Sequence, residues 1–448
     1  MKISSVLLSL VALAALFGFL FGFDEGIIAG ALPFISAVFT VTPASEGLMT
    51  AAVPLGAVAG VILAALYSDS LGRRRVLMLC GAAFIIGSML SGLAIGMVML
   101  TLSRLVLGIA IGASSMAAPM LLAELAPAKI RGAVVSTFQL MITVGILISY
   151  GVSLGLSTSG DWRLMLGLGA VPAIVAIVGI FYSPESPRWL VLRGRGEAAR
   201  RVIAKLQPGL PSDDINHIVR EIGENIEHTP ASASWSAFLG PRIFPIVTFA
   251  IVLFFLQQLS GINAVIYYAP RIVGEAGMSD VTAQLTATVG LGALNVAMTI
   301  VAMAIVDRFG RRPLLLAGFL GTAVSLLAIA VAFATPTKDD ATFALAGLVF
   351  YIAFFAVSLG PLPWLYMSEL FPMRLKSRGM ALAATANWSM NFLVVFLFPV
   401  VLSAAGAPVT FAIFAGFCLF GLGFSWFMAP ETKGASLEDL ERVLEYET

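Results

Sequence analysis

Charge is what this 448-residue chain has least of. Only 11% of its residues are Asp, Glu, Lys or Arg, while 59% are hydrophobic. A soluble domain is nearer a quarter charged. That excludes one here, and the mean hydropathy of +0.98 points to an integral membrane protein. Cysteine is nearly absent: Cys80 and Cys418 fall in apolar runs of opposite halves and read as packing residues, implying no redox chemistry. The two histidines, His217 and His228, both lie in a polar central stretch, so neither can carry protons within the membrane. A net charge of +1 gives no reason to expect a nucleic-acid partner.

Twelve apolar runs are long enough to cross a bilayer as helices, each needing about 20 residues. They lie near 6–38, 47–66, 76–95, 98–122, 133–157, 164–182, 243–270, 282–306, 314–335, 341–367, 379–402 and 408–428. Runs of this length exclude a β-barrel, whose strands span about ten residues with alternating polarity. The first run passes straight through Asp24 into IIAGALPFI, too long for the core of a cleaved signal peptide. All but four of the 26 lysines and arginines fall at the termini and in even-numbered loops. The exceptions are Arg163, Arg271 and Lys338 in odd-numbered loops and Arg104 inside a span. The positive-inside rule then puts both termini in the cytoplasm, and the chain in the cytoplasmic (inner) membrane.

The chain also repeats itself. SDSLGRRR between spans 2 and 3 returns as VDRFGRRP between spans 8 and 9. AELAPAKIRG after span 4 returns as SELFPMRLKSRG after span 10, and PESPRWL after span 6 as PETKGASLEDL after span 12. Three motif pairs in one order at nearly one offset mark a duplication whose halves run parallel. The expected architecture is all-α: two pseudo-symmetric six-helix bundles with substrate held between them. Residues 1–184 form the first bundle, 185–242 amphipathic cytoplasmic linker helices, 243–429 the second bundle and 430–448 a cytoplasmic tail of about one helix.

Away from their ends, the spans carry three charges: Asp24, Glu25 and Arg104. Unpaired, three such charges cost about 7–10 kcal/mol on insertion scales, so Arg104 of span 4 should pair with an acid of span 1. Adjacent helix positions diverge by about 100°, and the sequence does not settle which acid takes the arginine. The pair reads either as a stitch between spans or as a proton site. A carboxylate that loses its arginine in one conformation can take up and release a proton as the protein moves. No His, Cys, Asp or Glu cluster within the spans can ligate a metal or activate a nucleophile, so no enzyme and no cofactor is expected.

Span 7 contains LQQLSGINAVIYYAP, with Gln257, Gln258 and Asn263 around Gly261, where a helix can unwind. Gln139, Asn295, Asn387 and Asn391 add amides, and Trp364 and Trp388 add large rings. Amides can simply bond helix to helix. Clustered with tryptophan, they also suit a neutral hydroxyl-bearing solute, offering donors and acceptors beside an aromatic face. That favours a sugar or polyol over an ion. In the repeated loops, Asp69/Arg73/Arg74, Glu124/Arg131, Asp307/Arg311/Arg312 and Glu369/Arg378 place opposite charges at helix ends, where salt bridges can hold the cytoplasmic side shut.

On these residues the chain resembles the sugar porters of the major facilitator superfamily, most of all the bacterial galactose–proton and xylose–proton symporters. D-x-x-G-R-R twice, R-x-x-x-G at Arg104–Gly108, P-E-S-P-R, Q-Q-x-x-G-x-N-x-x-x-Y-Y and P-E-T-K-G together span nearly the whole sequence. The resemblance implies a major facilitator fold and a sugar pocket of Phe21, Gln139, Ile142, Gln257, Gln258, Asn263, Tyr267, Asn295, Phe355, Gly360, Trp364, Asn387 and Trp388. It implies Asp24 as proton acceptor with Arg104 as its partner. Glu25 departs from the family, which usually has a neutral residue there, so a shared or shifted proton is an alternative. Asn387–Trp388 leans towards a hexose over a pentose. The expected function is proton-coupled monosaccharide uptake by alternating access, in a monomer. A sugar uniporter is the alternative, and a non-transporting sugar sensor a more distant one.

Overall fold

The computed structural model describes residues 5–127, 130–227, 235–241, 243–335, 340–371 and 375–433. The tail expected beyond Lys433 lies outside the described residues, as do the side chains of Arg131 and Asp307.

In the first half α1 (Ser5–Val38), α2 (Pro43–Leu71), α3 (Arg73–Gly92), α4 (Met97–Leu125) and α5 (Arg131–Gly155) are unbroken. The sixth span is split into α6 (Trp162–Gly167) and α7 (Ala170–Tyr182). Three short helices follow, α8 (Pro187–Leu192), α9 (Gly196–Leu206) and α10 (Ser212–Glu227). The seventh span comes in three pieces, α11 (Phe244–Leu259), α12 (Ile262–Tyr267) and α13 (Ala269–Glu275); α14 (Val281–Phe309) and α15 (Arg311–Ala334) are continuous. The tenth is α16 (Asp340–Phe354), a π-helical turn Phe355–Leu359 and α17 (Leu362–Leu370). α18 (Lys376–Met428) contains the last two spans, which turn on Gly406 (φ 78°, ψ 169°). Among the described residues eleven helices are long and apolar enough to cross a membrane; with α18 divided at Gly406, the expected twelve spans are present.

The halves are held by close helix contacts rather than by a water-driven core, since lipid is as apolar as leucine. α2 and α4 present Gly56, Gly60, Gly108 and Gly112 to one another. A Cβ on Gly108 would stand 2.1 Å from the Val53 carbonyl oxygen, and one on Gly60 2.2 Å from that of Ile109. α1 lies on α5 in the same way through Gly18, Gly22, Gly26 and Gly30. The two halves meet chiefly along two seams, α2 against α18 and α5 against α14. These are equivalent positions of the two repeats, as a duplicated bundle with an axis between its halves requires. The even number of spans puts the described chain ends on one face, called here the terminus-bearing face, opposite the far face.

Candidate functional site at the seam between the halves

The glycine stripe of α1 faces α5, which turns Asp24 away from α5 and towards α4. Arg104 Nη2 stands 3.3 Å from Asp24 Oδ2, with side-chain exposures of 0% and 3%. Arg104 Nε donates to the Met49 carbonyl at 3.2 Å, while Nη1 has no partner in the protein. The choice the sequence left open thus falls to Asp24. Glu25 is equally buried and, among the described residues, makes no ion pair; Tyr150 and Tyr267 are within its electrostatic reach.

The amides of span 7 are set by its break. Gly261 takes φ 88°, a left-handed value that costs other residues strain, and α11 stops there. Gln257 Nε2 donates to the Leu359 and Gly360 carbonyls at 2.7 and 3.3 Å, and its Oε1 accepts from Asn387 Nδ2 at 2.8 Å. Asn263 Nδ2 donates to Gln258 Oε1 at 2.7 Å. Two carbonyls freed by the break find hydroxyls: Tyr351 donates to Ser260 and Tyr150, from the other half, to Ile266, both at 2.9 Å. Rings frame the cluster, Phe21 against Trp388 across the seam at 5.1 Å between centroids, and Phe254 against Trp364 at 4.8 Å. Phe355 packs beside Tyr351, and the Ile142 carbonyl abuts Gly22.

The structure therefore joins Gln257, Gly360 and Asn387, joins Gln258 and Asn263, and stacks Phe21 on Trp388. Gln139 and Asn295 stand apart: among the described residues neither side chain is hydrogen-bonded to the cluster. Asn295 lines a small cavity of about 10 Å³ with Tyr150, Ile266 and Gly292. Tyr267 Oη, Trp388 Nε1 and Asn391 Oδ1 are buried polar atoms without a protein partner. A wider concavity of about 490 Å³ lies elsewhere, between Leu320, Leu419, Trp426 and Phe427, and its apolar lining suits lipid.

At the terminus-bearing face the repeated motifs form two copies of one charge network. Arg73 bonds Asp69 at 2.9 Å and Glu124 at 3.1 Å; Arg311 bonds Glu369 at 2.9 Å. Sequence spacing grouped Glu124 with Arg131 and Glu369 with Arg378, whereas the folded glutamates take Arg73 and Arg311. Each of these pairs lies within its own half, so in this conformation they brace helix ends and leave the seam unbolted. Sequence reasoning overlooked Glu185 and Glu431, the acids of the two P-E motifs. Glu185 accepts from the Arg74 backbone N–H at 3.2 Å, and Glu431 from those of Arg311 and Arg312 at 3.0 and 3.2 Å. Each caps the helix that follows a positive-φ glycine, Gly72 or Gly310. Their recurrence at equivalent places in the repeat was the available signal. Burial pushes the Glu185 carboxyl above its ordinary value. Burial acts likewise on Glu431, but the backbone N–H groups and Arg311 outweigh it and hold that carboxyl below.

The far face is closed by contacts between halves. Glu46 of α2 meets Arg271 of α13 at 2.8 Å, and Gly47 sits against the Phe396 carbonyl of α18.

Residues 10–444 match the family described as "Sugar (and other) transporter". The chain is 37% identical over 435 residues to the galactose-proton symporter of Escherichia coli (strain K12), covering 96% of this chain and 93% of that one. It is 36% identical over 442 residues to the D-xylose transporter of Levilactobacillus brevis, covering 97% and 95%. Among solved structures it is similar to the partially occluded inward open conformation of the xylose transporter XylE from E. coli. There the TM-score is 0.85 and the identity 30%, over 97% of this chain and 100% of that one. The proton:xylose symporter XylE bound to 6-bromo-6-deoxy-D-glucose matches with TM-score 0.83 and 30% identity, over 98% and 99%.

Proposed function

This chain belongs to the sugar (and other) transporter family, and from that premise we propose that it takes up a monosaccharide, a hexose in preference to a pentose, together with a proton by alternating access. The bundles 1–184 and 243–429 rock about a sugar held between them, in the cytoplasmic membrane with the terminus-bearing face inside.

One observation carries the reading: the buried Asp24–Arg104 pair lies in the same seam region as a ring-framed amide cluster with orphaned polar atoms. An unpartnered buried polar atom costs about 1–3 kcal/mol, and sugar hydroxyls are the groups that fit Tyr267 Oη and Trp388 Nε1. Gln257 and Asn387 already orient one another, so their remaining hydrogen-bonding capacity is presented in a fixed direction. Apolar sugar edges meet Phe21, Trp388 and Trp364. In this state the far face is shut and Asp24 holds Arg104. Protonation of Asp24 removes the charge that holds the arginine, frees the first bundle to turn, and lets sugar enter from outside. Release of the proton to the cytoplasm restores the pair.

One proton moving down 100 mV supplies about 2.3 kcal/mol, and one pH unit adds about 1.36 kcal/mol. The two together support a sugar gradient of several hundredfold, so a single carboxylate suffices. The test is uptake of labelled hexoses and pentoses into proteoliposomes with and without an imposed pH gradient. Accumulation above equilibrium only with the gradient is expected; sugar flux indifferent to the gradient would mark a uniporter instead.

A further inference from the structure

Glu46 and Arg271 are 225 residues apart in the chain and belong to different halves. The placement of Glu46 is built from the sequence up. Thr42 and Ser45 cap the start of α2 reciprocally, Ser45 N donating to Thr42 Oγ1 at 3.2 Å and Thr42 N to Ser45 Oγ at 2.9 Å. This fixes the first turn, in which Glu46 is the acid. Arg271 stands just after Pro270 at the start of α13, with Glu275 one turn on at 4.0 Å. The resulting pair is short and sheltered, with side-chain exposures of 11% for Glu46 and 31% for Arg271. Next to it Gly47 admits the Phe396 carbonyl to 2.3 Å from where a Cβ would be. α2 cannot leave α13 and α18 without breaking the ion pair.

We propose that the Glu46–Arg271 ion pair is a latch that positions the two halves with the far face shut, setting the side on which the empty carrier rests. The proposal rests on the alternating-access reading. A sheltered surface pair favours its closed state by about fivefold. That biases the resting equilibrium and still lets the face open in every cycle. The terminus-bearing networks, confined to their own halves, supply no opposing bolt in this state.

The test uses a cysteine at Thr50. This residue is fully buried one turn below Glu46, against Tyr268 of the other half. The native Cys80 and Cys418 are buried, which keeps background low. Whole cells carrying Thr50→Cys are labelled with a membrane-impermeant maleimide, alone and with Glu46→Gln, Arg271→Gln, both, or Arg271→Lys. Each Gln variant should label about fivefold faster, the double variant no faster than either single one, and Arg271→Lys at the parent rate. Unchanged labelling in the single variants would overturn the latch. So would a double variant whose rate is the product of the singles, since the two residues would then act separately. Labelling needs neither sugar nor a proton gradient. A chain that moved no sugar would therefore still report on the latch, whereas unchanged labelling with intact uptake would refute the latch alone.

Discussion

Replacing Gly22 by alanine tests how tightly the site depends on the fold beneath it. The new Cβ would stand 1.8 Å from the Ile142 carbonyl oxygen, where a carbon–oxygen contact settles at about 3.3 Å. α1 must therefore lift from α5 by about 1.5 Å, and the obstacle is backbone, which cannot swing aside as a side chain can. Phe21 and Asp24 flank the point of lift, so the ring on Trp388 and the 3.3 Å contact with Arg104 both move. Overpacking of this kind costs about 1–3 kcal/mol, and strain of that size at the site weakens sugar binding by about tenfold. Equilibrium binding in detergent, alongside thermal unfolding, reads both effects. Gly151→Ala on α5 is the control, because its Cβ would meet nothing within 4 Å; in a helix it should be neutral or stabilise by about 0.5–1 kcal/mol. Unchanged affinity and stability in Gly22→Ala, or equal damage from Gly151→Ala, would refute this reasoning.

Trp388→Phe keeps the ring against Phe21 but removes the orphaned Nε1 donor. Sugar affinity should fall by about five- to tenfold, and an unchanged affinity would mean that Nε1 does not touch sugar. Gln257→Ala and Asn387→Ala remove the same 2.8 Å hydrogen bond, so the double variant should bind sugar little worse than the poorer single one; additive losses would separate their roles. The two helix caps should respond to pH with opposite sign. Glu431, held below its ordinary value, contributes stability present at neutral pH and lost on acidification. Glu431→Gln therefore lowers the melting temperature most at neutral pH. Glu185, raised by burial, is protonated more readily folded than unfolded, so the stability it contributes falls as pH rises through its carboxyl range. Glu185→Gln should be near neutral in acid and comparatively more favourable at neutral pH, and parallel pH profiles for the two variants would contradict this.

Much of the architecture was legible because bilayer thickness fixes span length and duplication leaves repeated words. Even the turn inside α18 was marked, by AAGAP around Gly406. Pairings between distant charges were not legible, because spacing along the chain says nothing of which helix packs where. Glu124 lies seven residues from Arg131, but α3 and α4 pack side by side and bring Arg73 to it. Glu46 and Arg271 read as ordinary charges at loop edges until the two halves are placed together. The choice between Asp24 and Glu25 had a usable signal that went unread. Glycines at 18, 22, 26 and 30 mark the face of α1 that meets its closest neighbour. At about 100° per residue, Asp24 points nearly opposite that face, while Glu25 lies close to it.

The central claim is that Asp24 carries the proton that drives sugar uphill. Asp24→Asn keeps an oxygen for Arg104 to bond while removing the titrating group. Reconstituted in proteoliposomes, this variant should exchange labelled sugar for unlabelled sugar yet fail to accumulate it when a pH gradient is imposed. Accumulation equal to that of the parent protein would contradict the account.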